Sequence, residues 1–478
     1  MSHLVKINTH LINPRNLSAF LSYPIPSMAT ETLTSEPAYD LIILGASGFT
    51  GQYVLREALK FLSSPSPLRS LAIAGRNPSK LKSTLQWAAS PSQPPSIPIL
   101  QADTSSPDSL LAIARQARLL ISCVGPFRLH GRPVVSACCE AGTDYLDITG
   151  EPEFMERMEA EFHEKAADTG ALVVSACGFD SIPAEFGMMF HCRKWGPPSV
   201  VSRIEAYVSL ESNRRIVGNL GTYESAVLGV ANAAKLQEFR RSRPRRPRPK
   251  IVGPPPPKGP LIEHKKELGL WTVILPSADA TVVRRTLTTI NEHPHGLPGM
   301  DESPDFAETR KAFWPSIKPT YFGVKLGSKS IFGIFRAIVT GFFLGVFAKF
   351  ALGRSLLLKF PSFFSAGWFR KKGPSEEEVR NATFKMWFVG QGYSDEKLAS
   401  QPGKKPDKEI ITRVSGPEIG YVTTPITLIQ CALIVLGQRG NLPKGGVYTA
   451  GAVFGPTDLQ KRLEENGISF DFISTRNL

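Results

Sequence analysis

Short apolar runs recur along the first part of the chain at 41–44, 70–74, 97–101, 119–124, 145–148 and 171–175, each separated from the next by room for a helix and its turns. Runs this short, without polar alternation, predict strands buried on both faces, and their spacing is the βα rhythm of a parallel sheet. Helical periodicity fills the gaps, at 52–61, at 133–141 before Gly142, and in a segment that sets Phe154, Met158 and Phe162 on one face. From about Ser202 the pattern changes. Residues 204–210 alternate as a half-buried strand does, 218–234 supply small residues and a helix, and strand-like runs return at 271–275, 280–286, 383–389 and 409–414. Strands grouped in this way predict a second, mainly antiparallel sheet covering the first layer. The helix 424–436 and the closing segment 447–473 are expected to return to the first sheet. The resulting division is a leader at 1–37, a parallel-sheet domain at 38–200, an α+β domain at 201–420 and a C-terminal segment at 421–478.

Composition narrows the class. A chain of 478 residues with 42% apolar residues has enough material for more than one core, and is neither a disordered chain nor a polytopic membrane protein. The net charge of +14 is unevenly spread: 309–375 hold twelve Lys or Arg and no Asp or Glu, and 240–258 form a second basic run rich in arginine and proline. The cysteines are Cys123, Cys138, Cys139, Cys177, Cys192 and Cys431, with no CxxC pair and no paired ligand spacing. They predict buried thiols in a reducing compartment, with neither a disulfide framework nor a metal site. The leader has no acid before Glu31 and carries Ser, Asn and Pro with Lys6 and Arg15, so it reads either as an organelle transit peptide or as a disordered start, with Met28 an alternative first residue.

The candidate chemistry lies at the ends of the apolar runs. The first leads into Gly45, Ala46, Ser47, Gly48, Phe49, Thr50 and Gly51 and then a helix. This strand, turn and helix order is the context of a phosphate cradle: Gly45 for the sharp turn, Gly48 for backbone approach to a pyrophosphate, Gly51 for close packing of helix on strand. With six strands behind it, the motif predicts a Rossmann-type doubly wound sheet. After the second run stand Arg76, Asn77, Ser79 and Lys80, where an NAD-binding sheet usually carries an acid. A guanidinium there suits a 2′-phosphate, which favours NADP(H) over NAD(H), with Asn77, Ser79 and Lys80 as helpers; a solvated arginine at a strand end is the alternative. Asp103 follows the third run, either as acceptor for the adenine amino group or as the cap of the next helix in competition with Thr104 and Ser105. Cys123, Val124, Gly125 and Pro126 end the fourth run and are expected to line the nicotinamide half of the crevice, with Arg128, His130 and Arg132 following on a loop. Glu151, Asp180 and Ser181 follow the fifth and sixth runs and, with Arg128, are the substrate-side candidates; helix capping explains Glu151 and Ser181 equally well. Two Tyr-x-x-x-Lys matches, Tyr321 with Lys325 and Tyr393 with Lys397, do not follow the fifth strand and are rejected as a proton source. No residue is singled out as catalytic.

Together these segments resemble the saccharopine dehydrogenase-like oxidoreductases. The likeness rests on the turn 45–51, Ala74-Gly75-Arg76, 123–127, 147–151 and 178–183, and continues through 390–393, 416–421 and 446–451. It implies an NAD(P)-dependent oxidoreductase on a membrane- or lipid-associated protein, without implying saccharopine as substrate.

The basic second half bears on partners. Residues 331–352 are apolar but interrupted by Arg336 and bounded by Lys349, slightly short of a spanning helix. Phe360, Phe363, Phe364, Trp368 and Phe369 follow, interleaved with Arg354, Lys359, Arg370, Lys371 and Lys372. Aromatics and cations without acids predict a membrane-contact segment at 326–372 that lies in a lipid interface; a buried core helix is the alternative. The Pro-rich stretch 240–260 predicts an extended exposed loop, and its lack of aromatics argues against nucleic acid. The expectation is thus an intracellular, membrane-associated protein, at a mitochondrial membrane or lipid droplet, moving hydride between NADP(H) and an amphiphilic or membrane-derived substrate. The competing readings are a lipid-surface scaffold that retains a cofactor domain, and a soluble saccharopine-type amino-acid dehydrogenase.

Overall fold

The computed structural model describes residues 36–62, 65–257, 259–274, 277–401 and 403–478, so the leader expected at 1–37 lies almost wholly outside the described residues. Residues 37–478 form one compact unit. Its strands are β1 (Tyr39–Leu44), β2 (Leu71–Gly75), β3 (Ile99–Gln101), β4 (Ala117–Ser122), β5 (Asp144–Asp147), β6 (Leu172–Ser175), β7 (Val200–Ser212) and β8 (Gly218–Asn219). They continue with β9 (Ile262–Lys265), β10 (Leu270–Ile274), β11 (Tyr321–Ser328), β12 (Phe369–Arg370), β13 (Ala382–Tyr393), β14 (Lys408–Pro417), β15 (Gly446–Thr449) and β16 (Ser469–Asn477).

The first sheet runs β15-β6-β5-β4-β1-β2-β3, with all pairs parallel. The strand order reverses between β1 and β4, which puts a switch point beside the glycine turn. Leu41, Ile42, Ile43, Leu119 and Ile121 are fully buried because helices cover both faces, which is why these strands read as unbroken apolar runs. The C-terminal segment returns in part: β15 extends the parallel sheet beyond β6, whereas β16 pairs with β14.

The second sheet runs β16-β14-β13-β7-β11-β10-β9 and is antiparallel except where β7 pairs with β11. The helix Ile182–Cys192, buried along its whole length, joins the layers; an added Cβ on Gly187 would lie 2.1 Å from the Phe388 ring of β13. Helix Thr424–Gln438 packs against the helix Phe49–Leu59 that follows the glycine turn.

Two predicted elements differ. Residues 280–286 are not a strand but part of the helix Asp279–Glu292, whose buried Val282, Val283, Thr286, Leu287 and Ile290 follow helical spacing; the β-branched residues masked that period. The helix expected from Pro133 starts at Phe127 and runs to Ala141, so Arg128, His130 and Arg132 sit on a helix rather than a loop. Pro133 thus lies inside the helix, whose start Glu151 fixes six residues earlier by accepting from Phe127 N and Arg128 N. Of the exposed loop expected at 240–260, residues 240–242 instead end the helix Ala233–Ser242, where Arg240 pairs with Glu156; the described residues from 243 on have no regular structure and are largely exposed, and Arg246 ties them to Glu159 at 2.9 Å and to Glu292.

Candidate functional site

The turns after β1, β2, β3, β4, β5 and β6 converge at the carboxyl edge of the parallel sheet. Gly45 adopts a φ of +84°, and an added Cβ would lie 2.6 Å from Cγ2 of Val124, so the glycine turn and the turn after β4 touch. A Cβ on Gly51 would lie 2.2 Å from the Gly45 carbonyl oxygen, so only glycine lets the helix start this close to the strand. A Cβ on Gly48 would meet only the Gly45 oxygen, at 3.2 Å, and its other side is open. No side chain caps the helix Phe49–Leu59, leaving its first N–H groups for an anion. Phe49 itself packs edge-on against Tyr421, ring centroids 4.8 Å apart; of its neighbours Ala46 is fully buried, Ser47 is half-buried on the turn and Thr50 is half-buried in the first turn of the helix.

Arg76 is exposed at the end of β2 and has no hydrogen-bond or ion-pair partner among the described residues. Asn77 is committed to capping: its Oδ1 accepts from Lys80 N at 2.9 Å. Ser79 and the Lys80 side chain stay exposed beside Arg76. Asp103 is not the cap of the helix Pro107–Ala114, a role filled by Ser106. Its Oδ1 accepts from the N and Oγ of Ser105, and those bonds, helped by the charges of Arg76 and His130, hold its carboxyl below the usual range. An anionic acceptor and a free guanidinium thus face the same end of the crevice.

At the other end, Gly125 is exposed, Cys123 and Val124 are half-buried and Pro126 is buried. Of the four substrate-side candidates the structure leaves one open. Glu151 Oε1 accepts from Phe127 N at 2.8 Å and Ser225 Oγ at 2.9 Å, and Oε2 from Arg128 N at 3.0 Å. The side chain of Arg128 pairs with Glu153 and donates to the Leu228 carbonyl at 3.2 Å. The Ser181 hydroxyl is fully buried and without a partner among the described residues, because the chain turns inward into helix Ile182–Cys192. Asp180 is exposed, its carboxylate lying over Gly150, where a Cβ would come within 2.6 Å of Oδ2.

Behind this rim are buried acids that sequence reasoning passed over. Asp147, at the end of β5, accepts from Ala176 N at 2.8 Å and Thr149 N at 2.9 Å through Oδ1, joining the ends of β5 and β6; burial pushes its carboxyl up to about 6. Glu185 accepts from Thr286 Oγ1 and from Gly451 N at 3.0 Å, and burial pushes it up to about 7. Burial, then the charges of Asp180 and Glu185, also hold the Asp279 carboxyl well above its usual range. Reading 280–286 as a strand hid Asp279; reading it as a helix start would have exposed the acid. Of the rejected Tyr-x-x-x-Lys pairs, Tyr321, Lys325 and Tyr393 lie on the second sheet and Lys397 on the short helix Glu396–Ala399; Lys325 pairs with Glu205 at 2.8 Å and Tyr393 donates to the Lys404 carbonyl at 3.2 Å. All six cysteines are free thiols, five of them buried.

A parallel doubly wound sheet with this turn defines a dinucleotide-binding oxidoreductase fold. The family model for the saccharopine dehydrogenase NADP-binding domain matches residues 41–174. The chain is 68% identical, over 93% of its length and 98% of the relative's, to a probable mitochondrial saccharopine dehydrogenase-like oxidoreductase of Arabidopsis thaliana. It is 35% identical to the human saccharopine dehydrogenase-like oxidoreductase, over 92% of this chain and 99% of that one. It is 32% identical to a Caenorhabditis elegans protein named lipid droplet localized protein, again over 92% and 99%. The chain belongs to the saccharopine dehydrogenase-like oxidoreductase family, and its cofactor is NADP(H).

Proposed function

We propose that the protein is an NADP(H)-dependent oxidoreductase whose substrate is an amphiphile taken from a lipid surface on which the second half of the chain rests. When bound, NADPH supplies a hydride; the chain's own part is to hold it and to place the acceptor. In this reading the amides of Gly48 to Gly51 hold the pyrophosphate, Arg76 and Lys80 the 2′-phosphate, and Asp180 faces the substrate.

The observation that carries the reading is the helix Leu220–Ala231. One side of it touches the cofactor rim, where Ser225 donates to Glu151 and the Leu228 carbonyl accepts from Arg128. Its other side buries Tyr223 and Val227 against Ala348, Leu357 and Phe364. Those residues belong to the segment of helices Ile331–Phe347, Ala351–Lys359 and Pro361–Phe364, so one helix links the crevice to the apolar segment. Those three helices leave Phe332, Phe335, Phe342, Leu352 and Phe363 in solvent, with Phe350 between the first two, Phe332 at 77% and Phe363 at 73% exposure. An apolar face of this size marks a contact surface, and the excess of cations in and around its segment, with no Asp or Glu between 309 and 375, matches an anionic lipid interface. The longest of the three has 17 residues, short of a span, which favours lying in the interface. Among the described residues the one helical stretch long and apolar enough to cross a membrane, Ile419–Asn441, is mostly buried inside the protein. An intracellular site at a mitochondrial or lipid-droplet surface accords with the names of the relatives.

The test uses vesicles loaded with long-chain aldehydes, ketones, imines or enoyl compounds, and follows loss of NADPH absorbance. Consumption that depends on the vesicle, and that Phe332→Ser with Phe363→Ser lowers while leaving NADPH affinity unchanged, supports the proposal. NADPH binding without consumption across the panel returns the protein to the scaffold reading.

A further inference from the structure

Beside the apolar face lies a cavity of about 920 Å³ whose wall carries Arg214, Arg215, Lys359, Arg370, Lys371 and Lys372. Two carboxylates oppose these six cations. Glu377 pairs with Arg214 at 2.6 Å, and Glu378 pairs with Arg370 while capping its own helix from Ser375. The wall therefore keeps an excess of four positive charges, six minus two, in one concavity. Arg215, Lys371 and Lys372 are exposed and have no ion-pair partner among the described residues.

A surface that merely adheres to anionic lipid needs cations scattered round an apolar patch. Here they line a basin, and the basin's lip is formed by Phe360 and Phe363, both exposed members of the apolar face. With those rings in the acyl boundary, the basin opens at headgroup depth. Arginine forks suit phosphate oxygens, and lysines suit a compact dianion. Gly373 of the lining packs against Phe49 at the start of the helix after the glycine turn, where a Cβ would lie 2.6 Å from the ring, and Arg56 of that helix pairs with Glu376 at 3.1 Å.

We infer that this basin is a headgroup site for an anionic phospholipid that bears a phosphomonoester. The inference rests on the lipid-contact reading above, and it adds which lipid is selected and by which residues.

The experiment is flotation of the full-length protein with three vesicle sets: phosphatidylcholine alone, phosphatidylcholine with phosphatidylserine, and phosphatidylcholine with phosphatidic acid matched to the second in surface charge. Two variants with equal charge loss accompany the wild type. One is Arg215→Gln with Lys371→Gln and Lys372→Gln; the other, outside the basin, is Lys329→Gln with Arg336→Gln and Lys349→Gln. A basin that reads the phosphomonoester gives the wild type about tenfold tighter binding to phosphatidic acid than to charge-matched phosphatidylserine, the order expected from one to two added cation contacts. The basin variant loses that preference, the control variant keeps it, and both bind NADPH as the wild type does. Equal binding to the two charged vesicle sets, or equal loss in the two variants, overturns the headgroup site while leaving lipid contact standing. Absence of flotation with any vesicle overturns the lipid-contact reading as well. Glycerol 3-phosphate that displaces the protein from phosphatidic acid vesicles at micromolar concentration assigns the basin to a soluble ester and overturns the lipid source.

Discussion

Glu151 caps a helix it does not belong to. Its carboxylate lies 2.8 Å from the backbone N of Phe127, 24 residues earlier in the chain, and accepts from Arg128 N as well. The turn after β4 is thereby pinned to the turn after β5, and this side of the crevice takes its shape from that pair of bonds. Glu151→Ala leaves two amides without their charged acceptor, one of them buried. A loss of about 2 to 3 kcal/mol in chemical unfolding is expected, with Glu151→Gln losing less because one acceptor oxygen remains. A change below about 0.5 kcal/mol is that of an ordinary surface position and would contradict the assignment.

Gly51→Ala places a methyl group 2.2 Å from the Gly45 carbonyl oxygen, a backbone atom that cannot swing aside. The helix must back away from β1, which opens the cradle. The expected result is a lowered melting temperature together with loss of most NADPH binding. Gly229→Ala, inside the helix Leu220–Ala231 with nothing within 4 Å of the added carbon, serves as the helical control: NADPH binding is unchanged and the melting temperature does not fall.

Glu185 gives a signed pH dependence. Its carboxyl is raised by burial from 4.5 to about 7, so its contribution to stability is full below 4.5 and is lost as pH rises through 7. Glu185→Gln removes that loss, so the stability of the variant relative to wild type rises by on the order of 3 kcal/mol between acid and alkaline conditions. His191, which burial lowers to about 3, acts in the opposite direction but is common to both proteins and cancels in the difference. Unfolding midpoints across this range check it; a difference that does not vary with pH refutes a raised Glu185.

The parallel sheet was readable because its inner strands are covered on both faces, so apolar runs such as 41–44 and 171–174 carry no polar interruption. The second sheet was less so. Tyr321–Ser328 contains two glycines and a lysine, and Lys325 is admitted to it only by Glu205 and Glu263, which arrive from distant parts of the chain. The positions of Arg76 and the glycine turn at the sheet edge were legible because each follows a strand end, at Gly75 and Leu44. The employment of Glu151, Arg128 and Ser181 was not, since their partners or enclosure come from helices up to 100 residues away. The apolar segment at 331–364 was visible in composition, but its link to the crevice through Tyr223 and Ser225 exists only in three dimensions.

The central claim is a nucleotide across the turn at Gly45 with its 2′-phosphate against Arg76. Titration of NADPH and NADH into the full-length protein and into Arg76→Ala, read by nicotinamide fluorescence, addresses it directly. Wild type should prefer NADPH, and the substitution should weaken NADPH by about 10- to 100-fold, the worth of one charge-assisted contact, while changing NADH by less than about threefold. Equal affinities for the two nucleotides before and after the substitution would contradict the claim.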